Sequence, residues 1–92
     1  MKVILVAMGH MEKDLGGKRF TFELPPGSVL ADLLREFGNE FSGRIPEVLW
    51  NRTEGRFRGP VVLMSNDAAL RDPAALLQDG QEVLVYNVLV GG

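Results

Sequence analysis

The sequence ends Leu89-Val90-Gly91-Gly92, and the carboxylate of Gly92 is the group in it best suited to chemistry. Glycine lacks Cβ, so a Gly-Gly end is slim and can be drawn extended into a narrow channel of another protein. There the carboxylate can be activated, or can react, deep inside a partner's active site. At average glycine usage two terminal glycines arise by chance in roughly one chain in 200. The pair also follows directly on a strongly β-prone run, with no charged or helical tail between. A frayed terminus of no consequence is the plain alternative.

The other chemistry-bearing residues offer less. There is no cysteine, which removes disulfides, thiolate metal sites, cysteine-ligated iron–sulfur clusters and a cysteine nucleophile. His10 is the single histidine, and alone it makes no metal site. Asn66-Asp67 invites a catalytic reading, but both residues tolerate tight-turn geometry, which explains them more simply. Arg44, Arg52, Arg56 and Arg58, with Trp50 and Phe57 interleaved, have the composition of a nucleic-acid strip. Glu47 and Glu54 offset them in a chain of net charge −2, so a solvated loop is the better reading. Neither nucleic acid nor membrane is expected as a partner; contact with an acidic enzyme stays open. With no nucleophile–base pair and no metal cluster, an independent enzyme fits poorly.

Ninety-two residues, 46% hydrophobic and 24% charged, suit one globular domain over residues 1–92, with a flexible tail from about residue 89. Val3 to Met8 is a short apolar run, expected as a central strand, and it is too short to span a membrane or to be a signal peptide. Gly16-Gly17 is a place for the chain to reverse. Phe20, Phe22 and Leu24 alternate with Arg19, Thr21 and Glu23, so a second strand has one buried face and completes a hairpin. After Pro25-Pro26-Gly27, Ser28 is placed to cap a helix from Val29. Val29, Leu30, Leu33, Leu34 and Phe37 form its apolar stripe, and Gly38 is expected to end it. Residues 39–60 read as an irregular segment or a short helix after Pro46, then an exposed loop from Asn51 to Pro60. Val61 to Met64 is a strand, Ser65-Asn66-Asp67 a turn, and Asp72 to Leu77 a short helical turn. Asp79-Gly80 turns the chain into a last strand, Glu82 to Val88. The first and last strands are the most apolar, which suits neighbours at the centre of a mixed sheet. A mixed sheet with one main helix packed on one face is an α+β fold of the β-grasp (ubiquitin-like) type.

The segment from Asp79-Gly80-Gln81-Glu82 through Val83-Leu84-Val85-Tyr86-Asn87-Val88 to Leu89-Val90-Gly91-Gly92 resembles the close of the MoaD/ThiS family of ubiquitin-like sulfur carrier proteins. Members typically show Asp-Gly-Asp-x-hydrophobic, a strand, and Gly-Gly at the end. The apolar first strand, the Pro-Gly turn before a Leu-Leu helix and the Asn66 turn agree in pattern. The resemblance implies that an E1-like adenylating enzyme uses Mg-ATP to activate the carboxylate of Gly92. Sulfur from a donor protein then leaves a thiocarboxylate there, for delivery to a sulfur-accepting synthase subunit. It further implies a carrier or non-catalytic small subunit with no bound cofactor, acting in the cytoplasm. The expected pathway is molybdopterin (molybdenum cofactor) synthesis, with cysteine or thiamine synthesis as alternatives.

Delivery requires a recognition surface. Val83 and Val85 alternate with Leu84 and Tyr86, so one pair faces the helix and the other faces away. Leu84 and Tyr86 are the expected partner-facing pair, with Leu89 and Val90 leading Gly91 and Gly92 into the partner. Alternatively, residues 39–60 fold over that face and bury them. Two other functions share the same features: a ubiquitin-like modifier joined through Gly92 to lysines, and a β-grasp interaction domain whose glycines are incidental.

Overall fold

A computed structural model describes residues 1–41 and 43–88. β1 (Lys2–Ala7) and β2 (Arg19–Glu23) pair antiparallel, with Val3 opposite Phe22 and Leu5 opposite Phe20. Between them lies a short helix, α1 (Met11–Leu15), whose Met11 and Leu15 are one turn apart and both buried. The sequence anticipates only the reversal at Gly16-Gly17, because five residues are too few for a helical period to show.

The main helix, α2 (Leu30–Phe41), buries Leu30, Leu33, Leu34, Phe37 and Phe41. Its expected stripe is therefore present, but both expected ends are displaced. Ser28 is not the cap: its hydroxyl donates to the Pro25 carbonyl at 2.7 Å. The Asp32 carboxylate, in the first turn, instead accepts the Val29 N–H at 2.8 Å. The next free donors are met by a distant strap, Leu30 N–H reaching the Ala75 carbonyl and Ala31 N–H that of Pro73, each at 2.9 Å. This strap is the segment expected as a helical turn from Asp72 to Leu77. Its first part is indeed a turn, closed by the Ala75 N–H on the Asp72 carbonyl at 3.0 Å, but no helix follows: the chain runs on extended, with Leu76 bridging Val29. At the other end the helix runs through Gly38 to Phe41. A Cβ on Gly38 would meet the Trp50 ring at 3.0 Å, so this glycine is a site of close packing and not a stop signal.

Trp50 belongs to a small hairpin in the segment that reads from sequence as an exposed loop. β3 (Trp50–Asn51) pairs with β4 (Arg56–Phe57), Trp50 opposite Phe57. Both rings lie against Phe37, with centroids 5.0 and 4.8 Å away, and Phe37 stacks on Phe41 at 4.8 Å. Phe41 in turn meets Phe20 of β2 at 4.9 Å. Such ring pairs add about 0.5–1.5 kcal/mol each beyond the area they bury. Ile45 and Leu49 are buried in the same layer, whereas Val48 is exposed.

The remaining strands are β5 (Val61–Ser65), β6 (Ala68–Ala69) and β7 (Glu82–Asn87). Asn66 and Asp67 carry φ of 54° and 63°, the left-handed pair that a two-residue hairpin turn requires between β5 and β6. The sheet order is β2-β1-β7-β5-β6, with β1 and β7 parallel at its centre. The mixed sheet with α2 on one face is the expected β-grasp arrangement. Val3, Leu5, Val83 and Val85 point from the sheet into the core beneath α2.

Two outcomes follow for stability. Phe37→Ala removes the ring that α2 and the hairpin share, and should cost about 3–5 kcal/mol in urea unfolding. The second concerns Asp32, whose carboxyl is held below its ordinary value by the Val29 N–H and by Arg35, 3.0 Å away, against the opposing effect of partial burial. A lowered folded pKa contributes stability above the unfolded value and loses it as pH falls through the folded one. The Tm of Asp32→Ala should therefore fall less steeply than that of the parent between the ordinary carboxylate range and the more acidic folded pKa.

Candidate functional site

The site is the outer face of the sheet, opposite α2, together with the end of β7 from which the chain continues to Gly92. Strand alternation separates the two faces of β7 completely: Val83 and Val85 are 0% exposed, while Leu84 and Tyr86 are half-buried on the opposite side. The register extends this outer strip across the neighbouring strands. Leu84 lies opposite Val6 of β1 and Met64 of β5, and Tyr86 lies opposite Val62. With Ile4, which shares the face of Val6, these side chains form an apolar strip across three strands.

Only Leu84 and Tyr86 are identified from sequence. Val62, Met64, Ile4 and Val6 escape it because a continuous apolar strand does not announce which of its faces is covered. β1 reads as buried on both sides, and its outer face is indeed crossed by an ion pair. Arg19 of β2 reaches Glu82 of β7 at 2.9 Å, spanning β1 near Ile4 and Val6. Both partners are about half exposed, so the pair contributes on the order of 1 kcal/mol or less. Its larger effect is geometric, since it places a charged border at one side of the apolar strip.

The alternative in which residues 39–60 cover this face does not hold. Their described aromatic residues, Phe41, Trp50 and Phe57, all pack on Phe37 on the α2 side. At the open end of β7 the Met8 N–H donates to the Val85 carbonyl and the Val88 N–H to that of Pro60, each at 2.9 Å. The strand is thus tied on both sides up to Val88, which is 59% exposed. Leu89, Val90, Gly91 and Gly92, named above as tail and working group, lie outside the described residues.

Among the described residues no group of three His, Cys, Asp or Glu side chains is placed to hold a metal ion. His10 is exposed at the start of α1. Asn66 and Asp67 are exposed turn residues, as their left-handed backbone requires. No described helix is long and apolar enough to cross a membrane.

No family model and no curated protein matches the sequence. Solved structures do match. The small archaeal modifier protein 1 of Haloferax volcanii superposes with a TM-score of 0.79 at 12% identity, over 100% of both chains. The protein of the same name from Methanosarcina acetivorans gives 0.73 at 15% identity, over 99% of this chain and 96% of that one. A Pyrococcus furiosus protein assigned as molybdopterin converting factor, subunit 1, gives 0.68 at 20% identity, over 95% and 97%. At these identities the likeness speaks for architecture, and it agrees with the arrangement of sheet and helix found strand by strand: the chain has the ubiquitin-like fold of the small archaeal modifiers and MoaD-like proteins.

Proposed function

We propose that this chain is a sulfur carrier that works through the carboxylate of Gly92. The observation that carries the reading is a ubiquitin-like fold whose central strand, β7, presents Leu84 and Tyr86 outward and ends at Asn87, five residues before Gly92 of the Gly-Gly pair. Five residues reach at most about 17 Å when extended. A partner seated on the outer face could therefore receive Gly92 in an active site of its own.

The chemistry explains why such a carrier needs an enzyme. A carboxylate is a poor electrophile until one oxygen becomes a good leaving group. An E1-like enzyme with Mg-ATP would provide this, the Gly92 oxygen attacking the α-phosphorus and pyrophosphate departing. The terminal sulfur of a persulfide on a donor protein then displaces AMP to give an acyl disulfide. A second donor thiolate attacks the donor-side sulfur, forming a disulfide on the donor and releasing the thiocarboxylate, a soft nucleophile tethered to a recognisable fold. The enzyme supplies the metal and the charge stabilisation; the carrier supplies recognition and reach. A sulfur-accepting synthase subunit would take the sulfur, and molybdopterin synthesis is the pathway we favour. The structural likeness to a protein assigned as a molybdopterin converting factor subunit supports that choice. The likeness to small archaeal modifier proteins supports a second reading, conjugation through Gly92 to lysines of other proteins.

Incubation with an E1-like enzyme, Mg-ATP and a sulfur source should raise the intact mass by the exchange of one oxygen for sulfur, located on the C-terminal peptide. An unchanged mass, with the enzyme active on its own carrier, would refute the carrier reading. In cell extract, a lysine-dependent ladder bearing this chain's epitope would favour the modifier. Deleting Gly92 should abolish adenylation and leave the Tm unchanged. Leu84→Ser with Tyr86→Ser should weaken binding to the E1-like enzyme about tenfold or more, roughly 1.4 kcal/mol. By contrast Val83→Ala, on the buried face of the same strand, should cost about 2 kcal/mol of fold stability.

A further inference from the structure

A groove runs along the solvent side of α2, on the layer of the molecule away from the outer sheet face. One wall is the β3–β4 hairpin and the other is formed by β5 and residues 70–73. Its two halves enclose about 490 and 390 Å³ and meet at Leu34, Arg56 and Pro73. The floor is apolar, built from Leu30, Leu34, Gly38, Trp50 and Phe57. The rim is not: Arg35, Arg52, Arg56 and Arg71 line it, and Glu54 is the one acid that does. This local excess of positive charge stands out in a chain of net charge −2.

We propose that the groove binds an acidic, extended peptide segment of a partner protein, with apolar side chains set on the floor and carboxylates on the arginine rim. Guanidinium groups offer a planar fork of donors that matches carboxylate geometry. Arg35 and Arg56 each spend part of that fork on Asp32 and Glu54, at 3.0 and 2.7 Å, and keep side chains 65% exposed. Those internal pairs hold the forks at the rim while their outer donors face solvent. Single-stranded nucleic acid would meet the same charge, but it gains affinity from stacking bases on exposed rings. Here Trp50 is 2% exposed and its ring is committed to Phe37 and Phe57. The groove lies on the other layer from Leu84 and Tyr86, and of the outer-strip residues named above only Val62 also lines it. The inference rests on the groove alone and is independent of the chemistry proposed for Gly92.

The test uses the full ¹⁵N-labelled chain and three probes: dodecapeptides alternating Leu or Phe with Asp and Glu, their Asn and Gln counterparts, and oligothymidylate. The acidic peptides should shift the amides of Leu34, Gly38 and Gly55 and the Trp50 indole. The neutral counterparts should bind about tenfold more weakly or less. Arg35→Glu and Arg71→Glu, both at exposed positions, should each weaken binding about tenfold while leaving the resonances of β1 and β7 in place. No binding by any acidic peptide, equal binding by the neutral ones, shifts confined to the Leu84 and Tyr86 face, or tighter binding of the oligonucleotide would each overturn the proposal.

Discussion

Phe37 is the side chain on which the architecture turns. It is wholly buried, and within about 5 Å its ring meets Phe41, Trp50 and Phe57. Without it the helix would still have Leu30 and Leu33 for the sheet, but the β3–β4 hairpin would lose its anchor. That hairpin has only two residues per strand, too few to stand on backbone hydrogen bonds alone. The aromatic cluster therefore decides where residues 45–57 lie. By drawing them onto the α2 side it leaves the outer face of the sheet for Leu84, Tyr86 and their neighbours. A core contact thus determines which surface is available for recognition.

How much of this is legible in the sequence depends on whether a feature is held by local or by distant partners. The alternation in β2 and β7, the stripe of α2 and the Asn66-Asp67 turn are all local, and each is where the residues indicate. Gly38 and Ser28 mislead for one reason: a residue type that often ends or caps a helix was available, and tertiary structure gave it other work. Gly38 admits the Trp50 ring, and Ser28 binds Pro25 while strap carbonyls take over the capping. The strap itself turns over Asp72–Ala75 as its composition suggests and is extended only beyond, where Leu76 bridges Val29. The hairpin is invisible for a similar reason, since its pairing follows from ring contacts with a helix some fifteen residues earlier.

The candidate site divides along the same line. Leu84 and Tyr86 follow from a period of two, which any reader of β7 can apply. Their neighbours on β1 and β5 follow only from the register, a long-range property. The arginine-lined groove is further removed still, because Arg35, Arg56 and Arg71 come from three separate segments that meet only in the folded chain. In sequence Arg56 is balanced by Glu47 and Glu54 and reads as part of a solvated loop. In space the three arginines gather around one apolar floor.

The parallel pairing of β1 with β7 has a consequence for synthesis of the protein. Val6 finds Leu84 only once β7 has been made, after β1, β2 and α2, so the central pair of the sheet forms later than the contacts among those earlier elements. A nascent or prematurely terminated chain lacking residues 82–87 leaves β1 with an open edge and the core beneath α2 without Val83 and Val85, features that invite aggregation and proteolysis. Whatever lies beyond β7 in the chain is consequently made only after every strand of the sheet.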